Sequence, residues 1–156
     1  MCIRDSPPLD EARVRELMAE AERDPRDVVT RTTLANLYFD ADRFREAITW
    51  YEASLALNPD DVNVSTDLGV SYYYTNQPDR ALEQFMYSLE VEPEHLKTIL
   101  NIGIVRAFGK QDLAGAAEAW DRVIVIAPDS PEGRAAQQAL ESLRSAHAGD
   151  VGTTGS

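Results

Sequence analysis

The sequence predicts an all-α chain of three stacked helix-turn-helix units with a further helix at each end, and three observations carry that expectation. Prolines recur at a fixed step: Pro25, Pro59 and Pro93 lie 34 residues apart, and Pro128 follows 35 residues later. Other positions keep the same step, among them Leu34, Leu68 and Ile102; Ala35, Gly69 and Gly103; and Ala47, Ala81 and Ala116. Within each period, two apolar stripes of helical spacing flank a turn.

At the N-terminus, "MCIRDS" reads as the translated end of a transposon adaptor used in sequencing libraries, so residues 1–6 are set aside from fold reasoning. The native start then lies upstream, and an apolar segment of about 20 residues followed by a Pro/Ala-rich linker is expected there. Leu9 to Asp24, within a segment 7–27, predicts a helix with Leu17 and Ala21 in phase with the repeat; Arg13 stands where a small residue is expected. It is either a degenerate half-repeat or a cap.

The repeating units follow at 28–61, 62–94 and 95–129. In the second, Leu68 and Tyr72 share one face of the first helix, "QPDR" breaks it, and Ala81, Phe85, Ser88 and Leu89 line the second helix before Pro93. Gly69 and Ala81 allow the paired helices to approach closely. The third unit carries one extra residue, placed in its turn "FGKQD", where Gly109 suits a helix C-cap. From 130 to 147, Ser130 is the expected N-cap and Pro131 the first helical residue. Ala136, Ala139, Leu140 and Leu143 form the apolar line opposite Gln137, Gln138, Glu141 and Arg144. Residues 148–156, rich in Gly, Thr and Ser, predict a flexible tail.

Composition narrows the function. The formal net charge is −12 and the pI near 4.5, so nucleic acid and anionic membrane surfaces are repelled on average. No apolar run is long enough for this fragment to insert into a bilayer. Two histidines, His95 and His147, and the lone Cys2 offer no zinc spacing, and phosphate-loop and nucleophile-elbow motifs are absent from the sequence. No catalytic, cofactor-binding or metal-binding residue is assigned, and the chain is not expected to be an enzyme.

Leu68, Gly69, Tyr72, Ala81, Phe85, Leu89 and Pro93 carry a pattern that resembles the tetratricopeptide repeat. Leu34, Ala35, Tyr38, Ala47, Tyr51, Leu55 and Pro59 repeat it, as do Ile102, Gly103, Ala116, Trp120, Ile124 and Pro128, with Arg106 in place of the third tyrosine. The resemblance implies a right-handed superhelical α-solenoid whose first helices line a concave groove. Among bacterial relatives it looks most like membrane-tethered domains of the cytochrome c biogenesis group, consistent with a bacterial metagenomic fragment. The compartment is then either cytoplasmic or the inner membrane, reached through the missing segment.

Mapped on that register, the partner-binding groove gathers Asn36, Phe39 and Asp40; Asn63, Thr66, Asp67 and Val70; Tyr73 and Tyr74; and Lys97, Asn101, Ile104 and Phe108. Tyr72, Tyr73 and Tyr74 sweep about 200° of a helix, more than one buried stripe holds. Tyr72 takes the buried position, leaving Tyr73 and Tyr74 for the groove or for packing against the next repeat. Of the family's carboxylate clamp, Asn36 and Lys97 match, while Thr32, Asp67 and Asn101 replace its other members, so chaperone tails are not the expected ligand. The first reading is a non-catalytic scaffold that binds a peptide or helix of a protein partner, in assembly of a membrane or periplasmic complex. The alternative is a self-associating structural scaffold, a homo-oligomer, and an accessory subunit of an enzyme ranks third.

Overall fold

A computed structural model describes residues 6–152, with side chains described to Ala146; among these residues every regular element is helical. Residues 1–5 of the adaptor reading and residues 153–156 of the expected tail lie outside it. Two compact units divide the chain after Val91.

The N-terminal unit holds α1 (Glu11–Arg23), α2 (Val28–Asp40), α3 (Phe44–Leu57), α4 (Val62–Tyr74) and α5 (Pro78–Val91). Asp10, Asp27 and Asp61 start α1, α2 and α4 by accepting the amides of Arg13, Thr30 and Val64 at 3.0, 3.0 and 3.1 Å, because the first amides of a helix lack intrahelical acceptors. Pro59 follows the C-cap Asn58 of α3, where it cannot continue the helix. The core runs through Leu17, Leu34, Tyr51, Leu68 and Phe85, all nearly or fully buried. Gly69 lets α4 and α5 close together: a Cβ there would stand 2.5 Å from Cε1 of Phe85.

Hydroxyl groups also cross the helix seams. Ser65 and Ser88 join α4 to α5 at 2.7 Å with no exposed surface, and Thr32 meets Ser54 between α2 and α3 at 2.6 Å. Gln84 donates to Ser65, and Ser88 donates to the Gln84 carbonyl, so the buried hydroxyls are satisfied.

The C-terminal unit holds α6 (Leu96–Ile104), a π-helical turn (Val105–Gly109), α7 (Leu113–Ile126) and α8 (Pro131–Gly152). The π turn absorbs the extra residue. Turn-closing bonds run from Arg43 to Tyr38 and from Gln77 to Tyr72, five residues apart, but from Asp112 to Arg106, six apart. Gly109 is therefore not the left-handed C-cap. That conformation falls on Gln111 (φ 54°), matching Asp42 (57°) and Asn76 (63°) in the other turns, because the wider turn moves the reversal one residue past the repeat position at Lys110. Arg106, in the tyrosine position, reaches the Gly115 carbonyl at 3.3 Å and ties the turn to α7. Trp120 fills the space over Gly103 and donates to the Leu100 carbonyl.

Ser130 caps α8 as expected, accepting from the Gly133 amide at 2.9 Å. Ala136 and Leu140 are buried while Gln137, Gln138, Glu141 and Arg144 are exposed. The helix continues past His147 to Gly152, into the stretch read as tail: one internal glycine costs only about 1 kcal/mol against alanine, and no proline stops it.

Candidate functional site

Tyr72, Tyr73 and Tyr74 end α4 and face three environments. Tyr72 is 4% exposed: its hydroxyl donates to Glu52 at 2.6 Å and accepts from Arg80 at 3.0 Å, and the Arg80 guanidinium lies 4.3 Å from the ring centre. Burial first, then the bond to and charge of Glu52, push its phenol up to about 12 against the opposing pull of Arg80. Tyr73 is half-buried, its phenol raised by burial and by its neighbour Tyr74. Tyr74 is 52% exposed and turns back to the preceding helix pair, where its ring stacks on Phe44 at 4.6 Å and 18°.

The stack continues inward. Phe44 meets Phe39 edge to face at 5.3 Å, and Phe39 meets Tyr51 at 6.2 Å. The Tyr51 hydroxyl donates to Oδ1 of Asn36 at 2.7 Å. Burial raises the Tyr51 phenol, and the negative charges of Asp67 and Asp40 raise it further. Phe39, Tyr73 and Tyr74 are thus joined through Phe44 in one run of ring contacts, with Asn36 tied to it by Tyr51; Asp40 and Asn63 are exposed and Asp67 is half-buried.

Thr66 does not belong to it. The side chain is fully buried and its hydroxyl donates to the Val62 carbonyl at 2.7 Å, because one helical step past Ser65 still points into the seam. Thr32, at a clamp position, likewise turns to Ser54. In the C-terminal unit, Lys97 is exposed, Asn101 donates back to the Lys97 carbonyl at 2.8 Å, and Ile104 is half-buried. Phe108 stands 72% exposed on the π turn.

Sequence reasoning missed Phe44, which joins Tyr74 to the core. Its counterpart one period later is Pro78, so no repeat pattern marks it. A hollow of about 320 Å³ was also missed; it opens between α3, α4 and α5 over Leu55, Leu68 and Tyr72, rimmed by Glu52, Gln84 and Tyr87. Among the described residues, no group of three or more His, Cys, Asp or Glu could hold a metal ion, and no helix is long and apolar enough to cross a membrane.

Known proteins place this architecture. The profile described as TPR repeat matches residues 35–76, and that described as Tetratricopeptide repeat matches residues 66–131. Among curated proteins, the chain is 26% identical over 124 residues to Protein O-mannosyl-transferase TMTC3 of Homo sapiens, and 25% identical over 71 residues to the Peroxisomal targeting signal receptor of Candida albicans. The aligned parts make up 80% and 46% of this chain but only 13% and 12% of those relatives' lengths. Among solved structures, the first TPR of Spaghetti (RPAP3) bound to the HSP90 peptide SRMEEVD aligns with TM-score 0.69 and 22% identity, over 80% of this chain and 96% of that one. MamA aligns with TM-score 0.71 and 17% identity, over 93% and 89%. With helix pairs at the repeat spacing and the two tetratricopeptide profiles together matching residues 35–131, the chain belongs to the tetratricopeptide repeat family.

Proposed function

We propose that this chain is a protein-interaction module that holds a peptide or helix of a partner against its first-helix face, with repeats at 28–61, 62–94 and 95–129. The observation that carries the reading is the half-open aromatic stack of Tyr73, Tyr74, Phe44 and Phe39, with amide and carboxylate groups beside it. Tyrosine presents a large apolar area with a polar tip at low entropic cost, which suits it to interfaces. Lys97, Asn101, Ile104 and Phe108 are the candidate partner-binding residues of the third repeat, within the C-terminal unit. The HSP90 peptide of the RPAP3 neighbour is not carried over, since Thr32, Asp67 and Asn101 replace clamp residues and Asp67 opposes a carboxylate. A tethered role in assembling a membrane complex is the narrower form of the same proposal.

A photo-crosslinking amino acid at position 73, compared with one at the 83%-exposed Val125 of α7, tests it in cells of the source organism. The expected outcome is a discrete adduct from position 73 and none from 125. Equal adducts from both positions, or none from 73, overturn the assignment of this face.

A further inference from the structure

The geometry points to a second binding site: the hollow between α3, α4 and α5 receives a lysine side chain of a partner protein, its alkyl stem over Leu55 and Leu68 and its ammonium on Glu52. The two second helices, α3 and α5, flank the hollow, and Leu68 and Tyr72 of α4 form its floor. None of its lining residues belongs to the ring run of Tyr73, Tyr74, Phe44 and Phe39. At about 320 Å³ it takes one long side chain but not a helix, which is about 10 Å across.

The polar atoms around it decide which side chain fits. Ser88 donates to the Gln84 carbonyl at 3.1 Å, so the Ser65 hydroxyl must donate to Ser88, and Ser65 in turn accepts from Nε2 of Gln84 at 2.7 Å. This closed ring fixes the orientation of the Gln84 amide and leaves its Oε1 as an acceptor. The Tyr72 hydroxyl donates to Oε1 of Glu52, and the Tyr87 hydroxyl donates to the Pro59 carbonyl at 3.1 Å. Among the described residues, Oε2 of Glu52 and Oε1 of Gln84 accept from no group, and against them stands one remaining N–H of Gln84. The hollow is apolar below and short of donors at its rim.

Lysine answers both features. Its four-carbon stem covers apolar surface while the ammonium donates to acceptors at the edge. Glu52 is 48% exposed, so the ammonium reaches it without leaving water. Arginine fits less well, because a guanidinium seeks a ring face and the Tyr72 ring is already covered by Arg80 at 4.3 Å. Arg80 also lies 3.8 Å from Oε1 of Glu52, so the carboxylate would bridge two cations. The wider charge favours that arrangement: residues 1–91 carry 18 acidic side chains against nine arginines. They carry no lysine, so the occupant comes from outside this unit.

Methyl NMR of the full chain, titrated with capped glycine pentapeptides whose central residue is lysine, Nε-acetyl-lysine, arginine or glutamate, tests the proposal. The lysine peptide is expected to shift the Leu55 and Leu68 methyl signals saturably. It should bind about three- to fivefold tighter than acetyl-lysine, the range for one exposed charge pair, and tighter than arginine, with no saturable shift from glutamate. Glu52→Gln, which keeps an acceptor for Tyr72, should remove the preference for lysine over acetyl-lysine. Glu22→Gln, on an exposed position of α1, should leave it unchanged. Ala56→Phe, at an exposed lining position, should fill the hollow and abolish the shifts, with circular dichroism confirming the fold.

Equal binding of lysine and acetyl-lysine peptides overturns the proposal, as does an equal effect of Glu52→Gln and Glu22→Gln, which marks diffuse attraction by an acidic chain. Binding that survives Ala56→Phe in full places the ligand elsewhere and overturns it too. Saturation by putrescine without a response to the lysine peptide overturns it in favour of a free diamine. The position-73 adduct reads the first-helix face and this titration reads the seam between second helices, so each proposal stands or falls by its own experiment.

Discussion

Replacing Gly69 by alanine sets two opposing terms against each other. Alanine in a helix interior is favoured over glycine by about 1 kcal/mol, so on an open helix the variant would gain stability. Here the added Cβ would stand 2.5 Å from Cε1, 2.7 Å from Cδ1 and 3.1 Å from Cζ of Phe85, against an ordinary carbon contact of about 3.5–4.0 Å. The ring must retreat by roughly 1 Å, yet it has no exposed surface and sits one turn from the Ser65–Ser88 pair. Overpacking of this kind costs about 1–3 kcal/mol, and contact with a rigid ring puts the site toward the upper end. The net expectation is a loss of about 1–2 kcal/mol, lowering the thermal midpoint by several degrees.

A urea titration of the parent, Gly69→Ala, Phe85→Leu and the double variant measures it. Leucine makes room for the methyl group, so the double variant should be more stable than the sum of the single losses by about 1 kcal/mol. A gain in stability from Gly69→Ala, or strict additivity in the cycle, would refute the close approach of α4 and α5 at this point. Gly103→Ala, which would drive a Cβ into the Trp120 indole, should behave in the same way.

Further outcomes can be read with the same equipment. Tyr72→Ala should cost about 3–5 kcal/mol, the range for emptying a buried aromatic site, while Tyr73→Ala stays within about 1 kcal/mol; similar losses at both would place Tyr73 in the core. Leu68→Ala should cost about 2–5 kcal/mol and exposed Glu83→Ala less than about 0.5 kcal/mol, as compared by urea midpoints. The Tyr72 phenol, pushed up to about 12 in the fold from the ordinary tyrosine value of about 10, keeps its proton more firmly when folded, so its contribution is fully present below pH 10 and is lost as pH rises from 10 to 12. Tyr72→Phe should therefore flatten the fall in stability between pH 10 and 12, and an unchanged slope would contradict the burial of the phenol and its bond to Glu52. Gln111→Gly should stabilise the third turn by several tenths of a kcal/mol or more, because φ 54° is strained for glutamine and free for glycine; destabilisation would argue against that backbone.

Much of the fold was legible because the packing repeats. Leu34, Leu68 and Ile102, or Tyr51, Phe85 and Trp120, meet the same neighbours each time, so a period of 34 registers them without any knowledge of contacts. Aspartates at 27 and 61 mark helix starts for the same reason. At the next step His95 stands at the cap, bonded to the Thr98 hydroxyl at 2.7 Å instead of to a backbone amide. What broke the period was hidden. Glycine's conformational freedom pointed to Gly109, but the π turn carried the left-handed residue on to Gln111. On the candidate face, helical register singled out Phe39, Asp67, Tyr73 and Tyr74, yet it admitted Thr66, one step inside the seam. It also omitted Phe44, whose role depends on a tertiary stack with no counterpart in the other repeats.

The paired hydroxyls of Ser65 and Ser88 carry a lesson about how such repeats can diversify. One period later the same two sites hold Ile99 and Val123, both buried, so the chain contains a polar and an apolar version of one joint. Each version is self-consistent, whereas a hybrid with Ser65 facing valine would leave that buried hydroxyl without its Ser88 and Gln84 partners, at a cost of about 1–3 kcal/mol. The two positions are thus free to change only as a couple, and a duplicated repeat can drift from one joint to the other only through a weakened intermediate. Helices exchanged between the second and third repeats should assemble well when both halves of the joint travel together and poorly when one half is left behind.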